Sequence, residues 1–187
     1  MRSISWVLLL VVAFSLSAFA QKEEKLDVQS VDEYTTVQRN LIQTAVTVNS
    51  QGSPFEGQFD TLLVAILAAD PIVFGALSTP FEFTVFAPTD AAFAELGLTP
   101  SNVGTLDPSL LSSILRYHVI VGERRAAQVL SAPRFRTLQG RFIFPSATPA
   151  PSIRDTQGRV ANIIATDVLA GNGVIHAIDK VILPFSL

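Results

Sequence analysis

The chain has 187 residues, with 13 Lys and Arg against 16 Asp and Glu, and this net charge of −3 comes without a basic stripe of the kind nucleic acid demands. It contains no cysteine, which excludes disulfides, a cysteine-linked lipid anchor and a thiolate metal site, so the core alone must hold the fold. Only 16% of residues are charged, against about 25% in ordinary soluble domains, and 13 are Phe, which points to a thick core or to an apolar binding surface.

Arg2 precedes an apolar run over residues 7–14, and Ala18-Phe19-Ala20 forms a small-x-small cleavage box before Gln21. These features predict a secretory signal peptide over residues 1–20. An uncleaved anchor is the alternative, but the run is short for a span that needs about 20 apolar residues. Without residues 1–20 the chain keeps 167 residues, enough for one domain with a sizeable core, and the loss of Arg2 takes the charge to −4. Residues 21–36 are charged at first and lack periodicity, as in a flexible lead-in. A single domain over residues 37–187 follows.

Val37, Leu41, Ala45 and Val48 recur at helical spacing, and a Gly/Ser/Pro-rich loop follows over residues 49–58. Asp60 is a candidate N-cap for a helix whose stripe is Phe59, Leu62, Leu63, Ile66 and Leu67, with Pro71 as its stop. Residues 81–87 alternate as a strand ended by Pro88. Thr89 or Asp90 then caps a short helix that stops at Gly97. Asp107-Pro108 pairs an N-cap with proline at the first helical position, opening a helix that buries Leu110, Leu111, Ile114 and Leu115. Tyr117-His118 and a short extended piece over residues 119–121 follow, then a helical turn or two over 125–130.

From Phe135 the pattern turns to strands. Gly140 and Gly158 sit where tight turns want positive φ, the flanks 142–144 and 160–165 have strand composition, and residues 145–152 read as a loop. Residues 172–184 read as a strand covered on both sides, with Val174, His176, Ile178, Lys180 and Ile182 on one face and Ile175, Ala177, Asp179, Val181 and Leu183 on the other. The outline is α+β rather than alternating α/β.

Enzyme signatures are thin. There is no Gly-x-Ser-x-Gly elbow and no phosphate-binding Gly-x4-Gly-Lys loop, and Gly171-Asn172-Gly173 is followed by a strand where a dinucleotide fingerprint needs a helix. His118 and His176 lie 58 positions apart with no ligand spacing, so a structural role is expected for each and no metal site is assigned. Asp60, Asp90 and Asp107 read as helix caps rather than general bases.

Three segments resemble one family. Residues 84–93 (TVFAPTDAAF) are similar to the first signature of the fasciclin-like domain, Tyr117-His118 to its central tyrosine-histidine motif, and residues 172–184 (NGVIHAIDKVILP) to its second signature. The resemblance spans about residues 37–184. It implies an α+β, wedge-like β-sandwich of about seven strands with packed helices, an extracellular setting, and roles in adhesion and matrix organisation without general catalytic activity. It also implies contact residues at Tyr117, His118 and the pair Asp167-Val168, where valine stands for the isoleucine of animal matrix members. Thr89, Asp90, Asn172, Gly173, His176 and Asp179 fall within its structural motifs.

The function expected on these grounds is a secreted, non-enzymatic adhesion module whose partner is an extracellular protein, a polysaccharide or a cell surface, with no catalytic residue, metal or cofactor. If the organism is bacterial, the setting is the periplasm or cell surface. The alternative is a carrier of an apolar ligand such as a carotenoid, since some fasciclin-like proteins bind carotenoids and eleven Phe remain after processing. Core filling explains the same phenylalanines. A hydrolase is the third class, and it lacks a visible triad.

Overall fold

The computed structural model describes residues 40–186. The expected signal peptide, the lead-in and Val37 lie outside the described residues. Helix α1 (Leu41–Val48) starts at Asn40, whose side chain accepts from the Gln43 N–H while the Gln43 side chain accepts from the Asn40 N–H. This reciprocal box satisfies two otherwise orphaned donors. Helix α2 (Asp60–Ala68) and helix α3 (Pro71–Ser78) follow, bent by 112°.

Helix α2 ends at Ala68, ahead of Pro71 as expected, and the same proline also opens α3 at the first position, where its missing N–H costs nothing. Leu67 is not core: it is 74% exposed, because Leu62, Ala65, Ile66 and Ala69 form the buried stripe and Leu67 falls on the outward side of the helix. Asp60 is corrected as well. It is the first helical residue, and its carboxylate takes the Asn49 side-chain amide at 2.7 Å. The α2 N-terminus is served instead by Asp90, which accepts from the Thr61 N–H at 2.8 Å.

Strand β1 (Phe83–Pro88), helix α4 (Asp90–Ala94), a 3-10 turn (Val103–Thr105) and helix α5 (Pro108–Tyr117) lead to strand β2 (Val119–Val121) and helix α6 (Ala126–Ser131). Asp107 caps α5, accepting from the Ser109 and Leu110 N–H groups. Strands β3 (Phe135–Arg136), β4 (Phe142–Ser146), β5 (Ser152–Arg154), β6 (Val160–Ala170) and β7 (Gly173–Ile178) complete the chain. Strand β5 begins where only a loop was expected, and β6 runs five residues further than 165. β7 ends at Ile178 rather than continuing to 184. Asp179 and Lys180 bend away, and Lys180 reaches out to Glu95 at 2.8 Å.

The seven strands form one sheet in the order β2-β1-β7-β6-β5-β4-β3, antiparallel except for the β1–β7 pair. Two register shifts in β6, between Ile163 and Ala165 and between Ala165 and Val168, bend the sheet. An Ile120–Thr137 bridge brings its two ends together. The curled sheet encloses Phe86, Tyr117, Ile120, Ile143, Ile153 and Ile178. On the outside of β1 and β7, Phe83, Ala87, Ile175 and Ala177 pack with Leu62, Ile66, Leu111 and Ile114 of the helices. The alternation expected around His176 therefore divides the residues of β7 correctly between an inner and a helix-covered face. The α+β class and the seven-stranded architecture hold.

Candidate functional site

Tyr117 and His118 end α5, and helix geometry turns both into the interior. Tyr117 is 0% exposed. Its hydroxyl donates to the Phe142 carbonyl at 2.8 Å and accepts from the Thr156 N–H at 3.2 Å, and burial raises its pKa. His118 is equally buried. Its Nδ1 lies 2.8 Å from the Ile114 carbonyl, which can only accept, so Nδ1 carries the proton, and Nε2 accepts from the Ile182 N–H at 3.2 Å. Burial, more than the nearby Arg159 charge, lowers its pKa to about 4. Neither side chain reaches the surface. Tyr117 and His118, placed at a contact site by resemblance, hold β4, Thr156 and Ile182 against the end of α5.

His176 sits on the inner face of β7 with its ring stacked on Phe86, centroids 5.7 Å apart. Its Nδ1 accepts from the Asp167 N–H at 3.2 Å, and its Nε2 donates to the Arg124 carbonyl at 2.9 Å. The two histidines thus hold opposite neutral tautomers, each fixed by one carbonyl and one amide. Burial lowers the His176 pKa as well. Asp167 has φ 60°, in the left-handed region that Asp tolerates better than most residues. Its Oδ1 caps α6 by accepting from the Ala126 N–H at 2.9 Å. Thr84 ties down the same stretch, donating to the Gly122 carbonyl and accepting from the Arg124 N–H, both at 2.8 Å. Val168 is half-buried against the helix-covered core. No hydrogen bond links His118 to Asp167. Phe86 stands between the two histidines, donating its N–H to the His118 carbonyl at 2.9 Å.

The remaining motif residues are junctions. Asn172, buried, accepts at its Oδ1 from the Leu41 N–H at 2.7 Å and donates from Nδ2 to the Leu77 and Thr79 carbonyls. One side chain so joins the start of α1, the end of α3 and the start of β7. Gly173 has φ 145°, and a Cβ there would overlap the Phe83 carbonyl oxygen across the β1–β7 ladder. Asp179 accepts from both the backbone and side-chain amides of Asn162 on β6 at 2.7 Å. Thr89 caps α4 through the Ala92 N–H at 3.4 Å.

Sequence reasoning missed two features. Asp155 is 1% exposed and accepts four hydrogen bonds, from the backbone N–H groups of Gln157, Arg159 and Leu183 and from Arg159 Nε. An Asp opening the Thr156-Gln157-Gly158-Arg159 turn was the available signal. The second feature corrects the reading of charge. Residues 41–115 carry seven acidic side chains and no Lys or Arg, whereas residues 116–159 carry eight Arg, no Lys and only Glu123 and Asp155. A small negative total concealed an arginine-rich half.

An apolar cleft of about 110 Å³ opens between α4 and α5, lined by Phe93, Leu96, Leu106, Leu110, Ile114 and Val181 among others. Among the described residues, no group of three His, Asp or Glu side chains could hold a metal, and no single helix is long and apolar enough to cross a membrane.

The fasciclin domain model matches residues 57–184. An uncharacterized protein of Synechocystis sp. is 34% identical over 146 residues, covering 77% of this chain and 97% of its own. The cell surface glycolipoprotein MPB83 of Mycobacterium bovis is 35% identical over 103 residues, which are 55% of this chain and 44% of that one. A solved FAS1 domain pair from the insect cell adhesion molecule fasciclin I superimposes with a TM-score of 0.59 at 18% identity, over 78% of this chain and 51% of that one. That likeness is one of fold.

Proposed function

The chain belongs to the fasciclin domain family, and from that membership we propose that it works as a secreted, non-enzymatic adhesion module that binds an extracellular protein, a polysaccharide or a cell surface. The similarity to a cell surface glycolipoprotein supports the extracellular setting. The observation that carries the non-catalytic reading is the bonding of the polar groups. Both histidines are held at both ring nitrogens by backbone groups, and Asp155 is held by four donors, so these groups are occupied in keeping strands together. One domain offers one weak contact, and display in many copies supplies avidity. Surfaces coated with the protein lacking residues 1–20 should retain cells or matrix polymers above a coating of unrelated protein. Retention no better than that coating overturns the proposal.

A second reading, a carrier of an apolar ligand such as a carotenoid, draws on the α4–α5 cleft. Its 110 Å³ is smaller than the cavity of about 150 Å³ that accepts benzene, so it suits a short aliphatic end of a ligand. A polyene would place one end there and lie along the surface. Protein isolated from its native source should then absorb in the visible, and repeated colourless preparations would count against it.

A further inference from the structure

The arginine-rich half folds into a defined surface. In the β3–β4–β5 ladder, Arg136 lies opposite Phe142 and Phe144 opposite Arg154, so these side chains share the face turned away from Ile143 and Ile153. The Arg134 guanidinium lies 4.5 Å from the Phe142 ring centre, and that of Arg154 lies 5.1 Å from that of Phe144. Stacking fixes the direction of two cations that would otherwise be floppy. Arg136 is steadied by donating its Nε to the Gly140 carbonyl at 3.1 Å. Of the eight arginines, only Arg125 and Arg159 form ion pairs among the described residues. The three on this face are exposed, oriented and uncompensated, on a chain whose net charge is negative.

We propose that the outer face of β3–β5 binds an acidic polysaccharide, a polymer bearing uronate or sulfate groups. Charge complementarity sets the sign of the partner. The exclusive use of arginine fits planar carboxylates and tetrahedral sulfates, each of which offers a pair of oxygens that its fork engages through two parallel hydrogen bonds. Arg136 on β3 and Arg154 on β5 are separated by β4, two strand spacings or about 10 Å, so the face presents spaced cations suited to a polymer with repeating anionic groups. A second copy of the chain fits less well, because Asp60, Asp90, Glu95 and Asp107 of the acidic half already hold partners. Nucleic acid fits less well because Phe142 and Phe144 lie beneath guanidinium groups and leave no free ring for a base. A lipid surface fits less well because strands β3–β5 expose no large apolar side chain, and Val160 of β6, opposite Arg154, is the one exposed apolar residue paired with them among the described residues. The proposal rests on the adhesion reading only for its setting outside the cell, since polymer binding is measured on purified protein without cells.

The test titrates the purified chain with heparin and polygalacturonate as probes, and with single-stranded DNA for comparison, between about 50 and 200 mM salt. Wild type should bind at least one polysaccharide more tightly than DNA. Arg134→Gln with Arg154→Gln should weaken that binding roughly tenfold or more and flatten its salt dependence. Arg136→Gln, which removes neither of the two guanidinium–ring contacts, should weaken it without lowering the melting temperature. Arg124→Gln with Arg125→Gln removes the same charge from the loop before α6 and should change binding less than about threefold. The proposal is overturned if wild type binds neither polysaccharide, if DNA binds as tightly, if both double variants lose binding equally, or if the face proves to drive self-association in their place.

Discussion

The Asp167 N–H donates to His176 Nδ1 at 3.2 Å, and the two residues then reach the same stretch of chain from opposite sides, His176 through the Arg124 carbonyl and Asp167 through the Ala126 N–H. This closed clasp links the bulged part of β6, the inner face of β7 and the start of α6. It explains why a histidine occurs on a strand buried on both sides: the bulge frees an amide that β7 backbone does not pair, and the imidazole takes it.

Replacing His176 should therefore act on stability. His176→Ala strands the Asp167 N–H and the Arg124 carbonyl, and leaves a void beside Phe86. The cost should be about 2–4 kcal/mol, read as a lower melting temperature and faster amide exchange at Ala126. A variant that melts like wild type but loses a binding activity would overturn the structural role.

Acid should weaken the fold through the same chemistry. His118 is neutral in the folded chain down to about pH 4, whereas the unfolded chain takes up a proton near pH 6.5. The unfolded state binds more protons between those values, so stability is full above about pH 6.5 and falls as pH drops toward 4. His118 alone contributes a loss on the order of 3 kcal/mol across that window, and His176, shifted the same way, adds to it. Urea melts from pH 7.5 to 4.5 measure the slope. An imidazole titration of His118 with a midpoint near 6.5 in the folded protein would refute the assignment.

Gly173 and Gly158 separate two reasons for glycine. At Gly173 a side chain meets the Phe83 carbonyl, with backbone on both sides in the sheet and no room to yield. Gly158, at φ 83°, has open space around it. Gly173→Ala should cost roughly 3 kcal/mol or more, and Gly158→Ala about 1–2 kcal/mol. Equal melting temperatures for the two variants would show that φ alone, not the β1–β7 approach, sets the requirement at 173.

What was legible in the sequence was local. Asp107-Pro108, Thr89, Gly140 and Gly158 act through neighbours one to three residues away, and each was readable in place. Pro71 was read only as a stop, which it is, but the helix that it also opens carries no separate mark in the sequence. The face assignment around His176 held because alternation needs no partner, but the end of β7 at Ile178 depends on where β1 and β6 cease to pair. Asp155 and Asn172 were opaque in another way. Their roles are set by Leu183, Leu41 and Leu77, which are distant in sequence, and a carboxylate or amide carries no mark of a partner it meets only after folding. The arginine face was hidden by summing charges over the whole chain.

Asp167 offers the sharpest separation of scaffold from contact. Its Oδ1 is spent on capping α6, whereas Oδ2 has no hydrogen bond within the described residues and the side chain is only half-buried. Asp167→Asn keeps an acceptor for the Ala126 N–H and tolerates φ 60°, so its stability should stay within about 0.5 kcal/mol of wild type. Asp167→Ala loses the cap and keeps the strained backbone, and should cost about 1–2 kcal/mol. A contact role for the carboxylate predicts that Asp167→Asn melts like wild type yet retains fewer cells on a coated surface. If retention instead follows the melting temperature, unchanged in the Asn variant and reduced in the Ala variant, Asp167 serves the clasp alone and the adhesive contact lies elsewhere on the domain.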